Sequence, residues 1–344
     1  MRMNALHDAD PIPTNSWYAV AAAHEVGREP VARRLLGQGL VLYRTASGAA
    51  VALADRCAHR PVPLSTGRVE GDDIIAAYTG FRYAPDGRCV AVPTQSAVPF
   101  EARVAAYPVH EDGSFIWVWA GAAALAALRP TPDTALLRDP DWHTIGGEWE
   151  TAAGLRLMHD NFADITHVAL VDPEIAPPAL FTTPPPLQVR VSETTVSFSR
   201  TFPPAPVARW HADLLEAAPE ATYEQVEEGE FRSPGLWVDR WTVRRPEGDA
   251  CFVFTHALAP VDNRRTRHAW RVSRNFARSA GADGALAPIF ERYYSRVRSA
   301  LETMQSVLDE EGGQDPRSVR LTADAAGIAV ARIMARMVEA EQEA

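Results

Sequence analysis

Cys57-Ala58-His59 places a thiol and an imidazole two residues apart, both side chains that bind zinc or iron. A structural zinc site takes four N or S ligands, and no third or fourth stands at a recognisable spacing. Downstream, Ala76-Ala77-Tyr78-Thr79-Gly80 adds little. Ala76 has no donor atom, and the neutral hydroxyl of Thr79 is a poor ligand for iron. On residue chemistry alone, Cys57 reads as a small buried side chain and His59 as a hydrogen-bonded loop residue. A second chemically loaded stretch runs Asp160-Asn161-Phe162-Ala163-Asp164-Ile165-Thr166-His167-Val168-Ala169-Leu170-Val171-Asp172. A histidine near its ordinary pKa of about 6.5 suits general-base work, which makes His167 a candidate. His159, His211 and His256 have no partners at metal-ligand spacing and read as structural. Cys89 and Cys251 read as packing residues. Pro177-Pro178, Pro184-Pro185-Pro186, Trp210, Trp237 and Trp241 could shape a pocket mouth, although Trp on strands is more often core.

These residues need elements to hold them. From Trp17 to about Gly121 short β-runs are broken by turns. Leu40–Arg44 and Ala49–Ala54 flank Ala46-Ser-Gly48, and Phe81–Tyr83 and Cys89–Val92 flank Pro85-Asp-Gly87. Val104–Tyr107 and Ser114–Ala120 close this unit, and a Pro-containing connection runs from Arg129 to Asp141. In the second half Trp149–Leu155 is strand-like and Met158–Val168 carries a helical pattern. Irregular chain from Asp172 to Leu187 precedes strands at Gln188–Arg200, Gly235–Arg244, Cys251–Ala259 and Thr266–Asn275. Two helical stretches, Leu286 to about Asp309 and Ala323 to Glu341, end the chain. The order is a small β domain followed by strands and long helices, an α+β arrangement.

Composition sets the outer bounds. At 344 residues the chain is long enough for about two domains, and 47 % hydrophobic with 23 % charged residues is ordinary globular composition. A net charge of −10 argues against nucleic acid or an anionic membrane as partner. Met1 to Pro13 is polar and acidic, with no apolar core of a secretory signal. The longest apolar stretch, Trp117 to Leu128, is too short for a bilayer, which takes about 20 residues. Three cysteines are too few for a disulfide framework, so a cytoplasmic protein with reduced thiols is expected.

Taken together the motifs resemble the oxygenase component of Rieske non-heme iron oxygenases, of the vanillate demethylase and dicamba monooxygenase type. The likeness runs through Trp17-Tyr18, Leu35-Leu36-Gly37, Val41-Leu42-Tyr43-Arg44, Asp55-Arg56-Cys57-Ala58-His59-Arg60, Pro63-Leu64-Ser65, Gly67-Arg68-Val69 and Asp86-Gly87-Arg88-Cys89. Such proteins hold a 2Fe–2S cluster with Cys-x-His, a spacer of roughly 15–20 residues, and Cys-Pro-Tyr-His-Gly. Against that pattern Cys57 and His59 are present, while Ala76 stands for the second Cys and Thr79 for the second His. The resemblance also implies a mononuclear iron held by two His and one carboxylate. His167 matches the first His, Asp172 stands where the second belongs, and Val297 falls in the carboxylate position when Leu301-Glu302-Thr303-Met304-Gln305 sets the register. The counterpart of Asp164 bridges the two metal centres across a subunit interface.

The resemblance implies a Rieske-like β domain at residues 14–125 and a helix-grip domain at 140–344, an antiparallel sheet wrapped around a long helix. Losses at both metal sites lead to the expectation of a metal-independent, cofactor-free enzyme. It would do non-redox acid/base chemistry (lyase, isomerase, cyclase or hydrolase) on a small molecule, aromatic ones included. His167 would be the base, Asp172 lying within a few ångströms of it would orient it, Asp164 would support them, and Asn161 and Val297 would line the pocket. Two alternatives stand beside this reading. One is a non-catalytic partner or ligand-binding subunit, pairing with an intact homologue. The other is a working Rieske monooxygenase or demethylase with unconventional ligands, a 2Fe–2S cluster and Fe(II). The family assembles as homotrimers, which is the expected assembly.

Overall fold

The computed structural model describes residues 12–312 and 319–343, so most of the polar start read from Met1 to Pro13 lies outside the described residues. Short, largely apolar runs open the chain as β1 (Trp17–Ala22), β2 (Val31–Leu35), β3 (Gln38–Arg44) and β4 (Ala50–Ala54). The short β5 (Arg68–Glu70), β6 (Asp73–Ile75), β7 (Arg82–Tyr83) and β8 (Cys89–Ala91) follow, then β9 (Ala106–Tyr107), β10 (Val109–Glu111) and β11 (Phe115–Trp119). They form three small antiparallel sheets, ordered β1-β11-β10, β2-β3-β4-β9 and β5-β6-β7-β8. Leu36 and Gly37, both at positive φ (50° and 77°), turn β2 into β3. That conformation matches the right-handed twist of a hairpin. Their N–H groups donate to Pro260 and Val261 carbonyls at 2.8 and 2.7 Å, docking the hairpin tip on the second half of the chain.

The second half is built on one seven-stranded antiparallel sheet. Its strands are β12 (His143–Thr151), β13 (Gln188–Val191), β14 (Thr195–Pro206), β15 (Thr222–Arg232), β16 (Leu236–Val243), β17 (Ala250–Asp262) and β18 (Arg265–Arg274). The spatial order is β12-β18-β17-β16-β15-β14-β13. Helices α1 (Leu155–Ala163), α2 (Val168–Val171), α3 (Arg209–Leu214), α4 (Ala280–Glu310) and α5 (Ala325–Gln342) complete it. The expected α+β architecture, a β domain plus an antiparallel sheet with long helices, is the one observed. No described helix is long and apolar enough to cross a membrane.

Three local readings differ from the sequence expectation. The run Gln188–Arg200 is a hairpin, β13 and β14, because Ser192 and Thr195 close a turn by hydrogen bonding to each other. β15 is a full strand despite its acids, since Glu227 is buried against Arg200 on β14. α4 begins at Ala280, where the Ser279 hydroxyl caps the helix by accepting the Ala282 N–H. The long helices bury their apolar stripes: Val297 and Leu301 of α4 meet Met158 and Phe162 of α1 and Val330 and Ile333 of α5 in one core. Near the other end of α5, Glu341 accepts the Thr14 N–H and hydroxyl and the Asn15 N–H, clasping the last helix to the start of the first strand.

Candidate functional site

α1 starts where Gly154 lets the backbone pass Asn263, whose carbonyl oxygen would lie 2.5 Å from any Cβ at 154. The helix ends at Asp164, whose carboxylate accepts the Thr166 N–H at 3.0 Å and the Thr166 hydroxyl at 2.7 Å, capping a tight turn over Ile165–His167. That turn aims His167. Its Nδ1 lies 2.8 Å from the Asp164 carbonyl, which can only accept, so Nδ1 carries the proton. Nε2 is then the acceptor for the Tyr293 hydroxyl at 3.2 Å. Burial pushes the His167 pKa down, so the ring is neutral with its lone pair held toward α4.

His167 and Asn161 face a partly open apolar cavity of about 120 Å³. Its walls follow the periods of their elements. Asp239 and Trp241 alternate on β16, and Phe252, Phe254 and His256 alternate on β17. Phe290, Tyr293 and Tyr294 share one stripe of α4, and Trp210 and His211 come from α3. The rings pack on one another: Phe162 stacks on His256 at 4.0 Å, and Trp210 on His211 at 5.2 Å. Burial holds the His211 pKa at about 3 and His256 well below its usual value, with His268 beside it adding to the effect. Asp239 is the acid of this wall. Gly229 opposite it on β15 has no Cβ, which leaves room for the Asp239 carboxyl and the Phe198 ring. Burial first, and Glu227 second, push the Asp239 pKa well above the carboxylate range.

Sequence reasoning placed some of these residues and missed others. Trp210 and Trp241 line the cavity as a mouth-shaping role requires, whereas Trp237 lies in the core and donates its indole N–H to His159 Nδ1 at 3.0 Å. His211 and His256, read as structural, are wall residues. Asp239 and Tyr293 were not singled out; the alternation of 239 with 241 and the 290–293–294 stripe were the available signals.

Three expected placements are corrected. Asp172 does not orient His167. It is wholly buried, with Arg292 Nε at 3.0 Å and Arg296 Nη1 at 3.2 Å, because α4 presents two guanidinium groups one turn apart to it. Asp164 supports His167 through its backbone carbonyl, its carboxylate being taken by Thr166. Val297 does not line the cavity; it lies one turn beyond Tyr293 and Tyr294 in the core shared with α1 and α5.

At the other motif, Cys57 is buried and its Sγ lies 3.2 Å from both the Thr79 and the Tyr83 hydroxyls. Burial opposes ionisation of this thiol. Hydrogen bonds from Thr79, Tyr83 and the His59 and Arg60 backbone outweigh it and hold the pKa below the usual thiol range. His59 is exposed and stacks on Phe81 at 5.2 Å, while Ala76 is buried. A Rieske cluster takes two Cys and two His. Cys57 and His59 are two of these, and the Thr79 hydroxyl is committed to Cys57. Among the described residues, no group of three or more His, Cys, Asp or Glu side chains converges on a metal position. The residues at these positions therefore do not make up the standard donor set for cluster or mononuclear iron.

Comparison with known proteins completes the site. The model for the Rieske [2Fe-2S] domain matches residues 16–108, and the model for the vanillate O-demethylase oxygenase C-terminal domain matches residues 151–340. The chain is 38 % identical over 159 residues to a putative toluene-4-sulfonate monooxygenase system iron–sulfur subunit of Comamonas testosteroni. That match spans 46 % of each chain, so it covers under half of this relative's length. It is 30 % identical over 356 residues, covering 95 % of this chain and 96 % of the relative, to the chloroacetanilide N-alkylformylase oxygenase component of Rhizorhabdus wittichii (strain DC-6 / KACC 16600). Two solved structures of dicamba monooxygenase superpose with TM-scores of 0.87 and 0.80 at 25 % and 26 % identity. Each covers 96 % of this chain and 98 % of that one; the first holds 3,6-dichlorosalicylic acid, the second non-heme iron and dicamba.

These findings overturn the expectation of a metal-independent, cofactor-free enzyme of non-redox chemistry. The relatives are oxygenases and monooxygenases, and the matched families point to a 2Fe–2S cluster and Fe(II) as cofactors.

Proposed function

Because this chain belongs to the Rieske oxygenases of the vanillate O-demethylase type, we propose that it serves as an oxygenase component acting on a small, largely apolar molecule. The observation that carries this reading is the ring-walled cavity beside His167, enclosed between α1, β16, β17 and α4. Apolar walls carrying a few placed polar groups are the make-up of a small-molecule site. The residues here bind and orient. Phe252, Phe254 and Phe290 exclude water from the ring, at about 25 cal/mol per Å² of apolar surface covered. Tyr293 fixes the His167 lone pair, and Asn161 supplies an amide beside it.

The donor set at Cys57, His59, Ala76 and Thr79 and at His167, Asp172 and Val297 bears on how iron enters this reading. Iron would be held by unconventional donors, the reading that the likeness to working oxygenases supports, or by an intact homologue sharing a mixed assembly. A homotrimer is the default assembly, domain boundaries at 14–125 and 140–344 frame it, and a separate reductase in the cytoplasm would supply electrons.

The test is reconstitution. Protein loaded anaerobically with iron and sulfide, alone and co-expressed with an intact family member, is assayed for iron content and for reductase-driven oxygen uptake with methoxy- and N-alkyl-arenes. Oxygen uptake coupled to product in either preparation is expected. Iron-loaded preparations that give neither uptake nor product across the panel overturn the proposal.

A further inference from the structure

Charge along the cavity wall departs from what an acidic substrate would need. No Arg lines it, the chain contains no lysine, and all 34 basic residues are arginines. Arginines on or beside the wall elements are engaged elsewhere: Arg292 and Arg296 with Asp172, Arg200 with the buried Glu227, Arg245 with Glu247, Arg209 with Asp213, and Arg240, which alternates to the other face of β16, over the Trp142 ring. The one acid on the wall is Asp239, whose side chain is 13 % exposed. Its Oδ1 is buried with no hydrogen-bond partner among the described residues, and Oδ2 lies 3.9 Å from His256 Nε2, too far for a hydrogen bond. Oδ1 is packed against Gly229, so the carboxyl meets the cavity through Oδ2, which has no hydrogen-bond partner among the described residues.

Resting on the reading of this cavity as a small-molecule site, we propose that it selects a neutral aromatic molecule bearing a hydrogen-bond acceptor, which Asp239 reads, and turns away carboxylates and sulfonates. The groups facing Asp239 are Glu227 on β15, His256 on β17, and Tyr293 and Tyr294 on α4. None of them is a cation: burial keeps His256 neutral and raises both tyrosines, and Glu227 is paired with Arg200. In that setting the Asp239 carboxyl is a neutral O–H donor, the form a low-dielectric wall favours. A carbonyl, ether or amide oxygen entering beside the rings accepts that proton in a hydrogen bond. An anion meets a second acid, no counter-charge, and the loss of its own hydration.

Three probes sharing one ring separate the possibilities: 4-methoxyacetophenone, 4-methoxybenzoate and 4-methoxybenzylamine, titrated into the full chain with Trp210 and Trp241 fluorescence and calorimetry as readouts. The ketone should bind at least about tenfold more tightly than the benzoate. Asp239→Asn keeps a donor and should leave ketone affinity within about threefold, whereas Asp239→Leu should lose about tenfold. Circular dichroism of both variants confirms folding, and the Asn variant carries the test if the Leu variant fails to fold: with the acid gone, its ketone-to-benzoate preference should shrink. Benzoate binding equal to or tighter than the ketone, or tightest binding of the ammonium probe, overturns the charge selection alone. Binding of none of the three overturns the small-molecule reading of the cavity and this inference with it.

Discussion

Replacing Asp172 with Ala tests the placement that most changes the picture of the site. The carboxylate is wholly buried and accepts from Arg292 Nε at 3.0 Å and Nη2 at 3.4 Å, with Arg296 Nη1 at 3.2 Å. A hydrogen bond to a charged partner contributes about 1.5–3 kcal/mol. Both guanidinium groups are partly in water, 38 % and 48 % exposed, so the gain is screened. Halving two such contacts for that screening leaves a loss of about 1.5–3 kcal/mol. With a urea slope near 2 kcal/mol per M, the midpoint should fall by about 0.8–1.5 M. The assay is urea unfolding of Asp172→Ala, Arg292→Ala and the double variant, followed by tryptophan fluorescence. The cycle should show a coupling of about 1 kcal/mol. Additivity within about 0.3 kcal/mol would refute the ion pair as the source of the loss. A second readout addresses His167. If Asp172 faced that ring, Asp172→Asn would lower its pKa; the structure requires the His167 titration, followed by NMR, to stay within about 0.3 units of wild type.

Two further outcomes follow from groups whose protonation the fold perturbs. His159, His211 and His268 are held neutral with pKa values of about 3, each by burial first. The unfolded chain titrates them near 6.5, so their contribution is complete above about pH 6.5 and is lost as pH falls toward 3. At pH 5.5 each costs about 1.4 kcal/mol; His256, also held neutral, acts in the same direction, and Asp239, displaced upward, in the opposite one. A urea midpoint at pH 5.5 equal to or above that at pH 7.5 would contradict neutral burial. At the other motif, Thr79→Val removes a hydrogen bond that favours the Cys57 thiolate. In a Cys89→Ser, Cys251→Ser background, the pH midpoint of Cys57 alkylation should rise by about half a unit to one unit. A falling midpoint would show that Thr79 does not hold the thiolate.

The architecture was legible because it rests on local chemistry. Turn residues at Ala46–Gly48 and Pro85–Gly87, alternating runs in β16 to β18, and the apolar stripes of α4 and α5 act within a few residues of themselves. The site was legible only where it was carried by α1 and its cap, since Asn161, Asp164 and His167 sit in one short stretch. Asp172 was mispaired because sequence shows which chemistry is close along the chain, not that α4 brings Arg292 and Arg296 across 120 residues. Asp239 escaped notice for a related reason. An acid on a strand reads as solvent-facing until the sheet is seen to curl around α4, and only Gly229 opposite makes its burial possible. β15 was hidden by its own glutamates, whose burial depends on an arginine one strand away.

The Glu341 clasp has a mechanical consequence. Three short contacts to Thr14 and Asn15 bring the start of the first strand and the last helix to one point, so the described chain behaves as a closed loop rather than a string of two beads. Tension applied between residues 14 and 341 meets that carboxylate first and reaches the seven-stranded sheet only after it has torn. A single half-buried acid thus gives way ahead of either core.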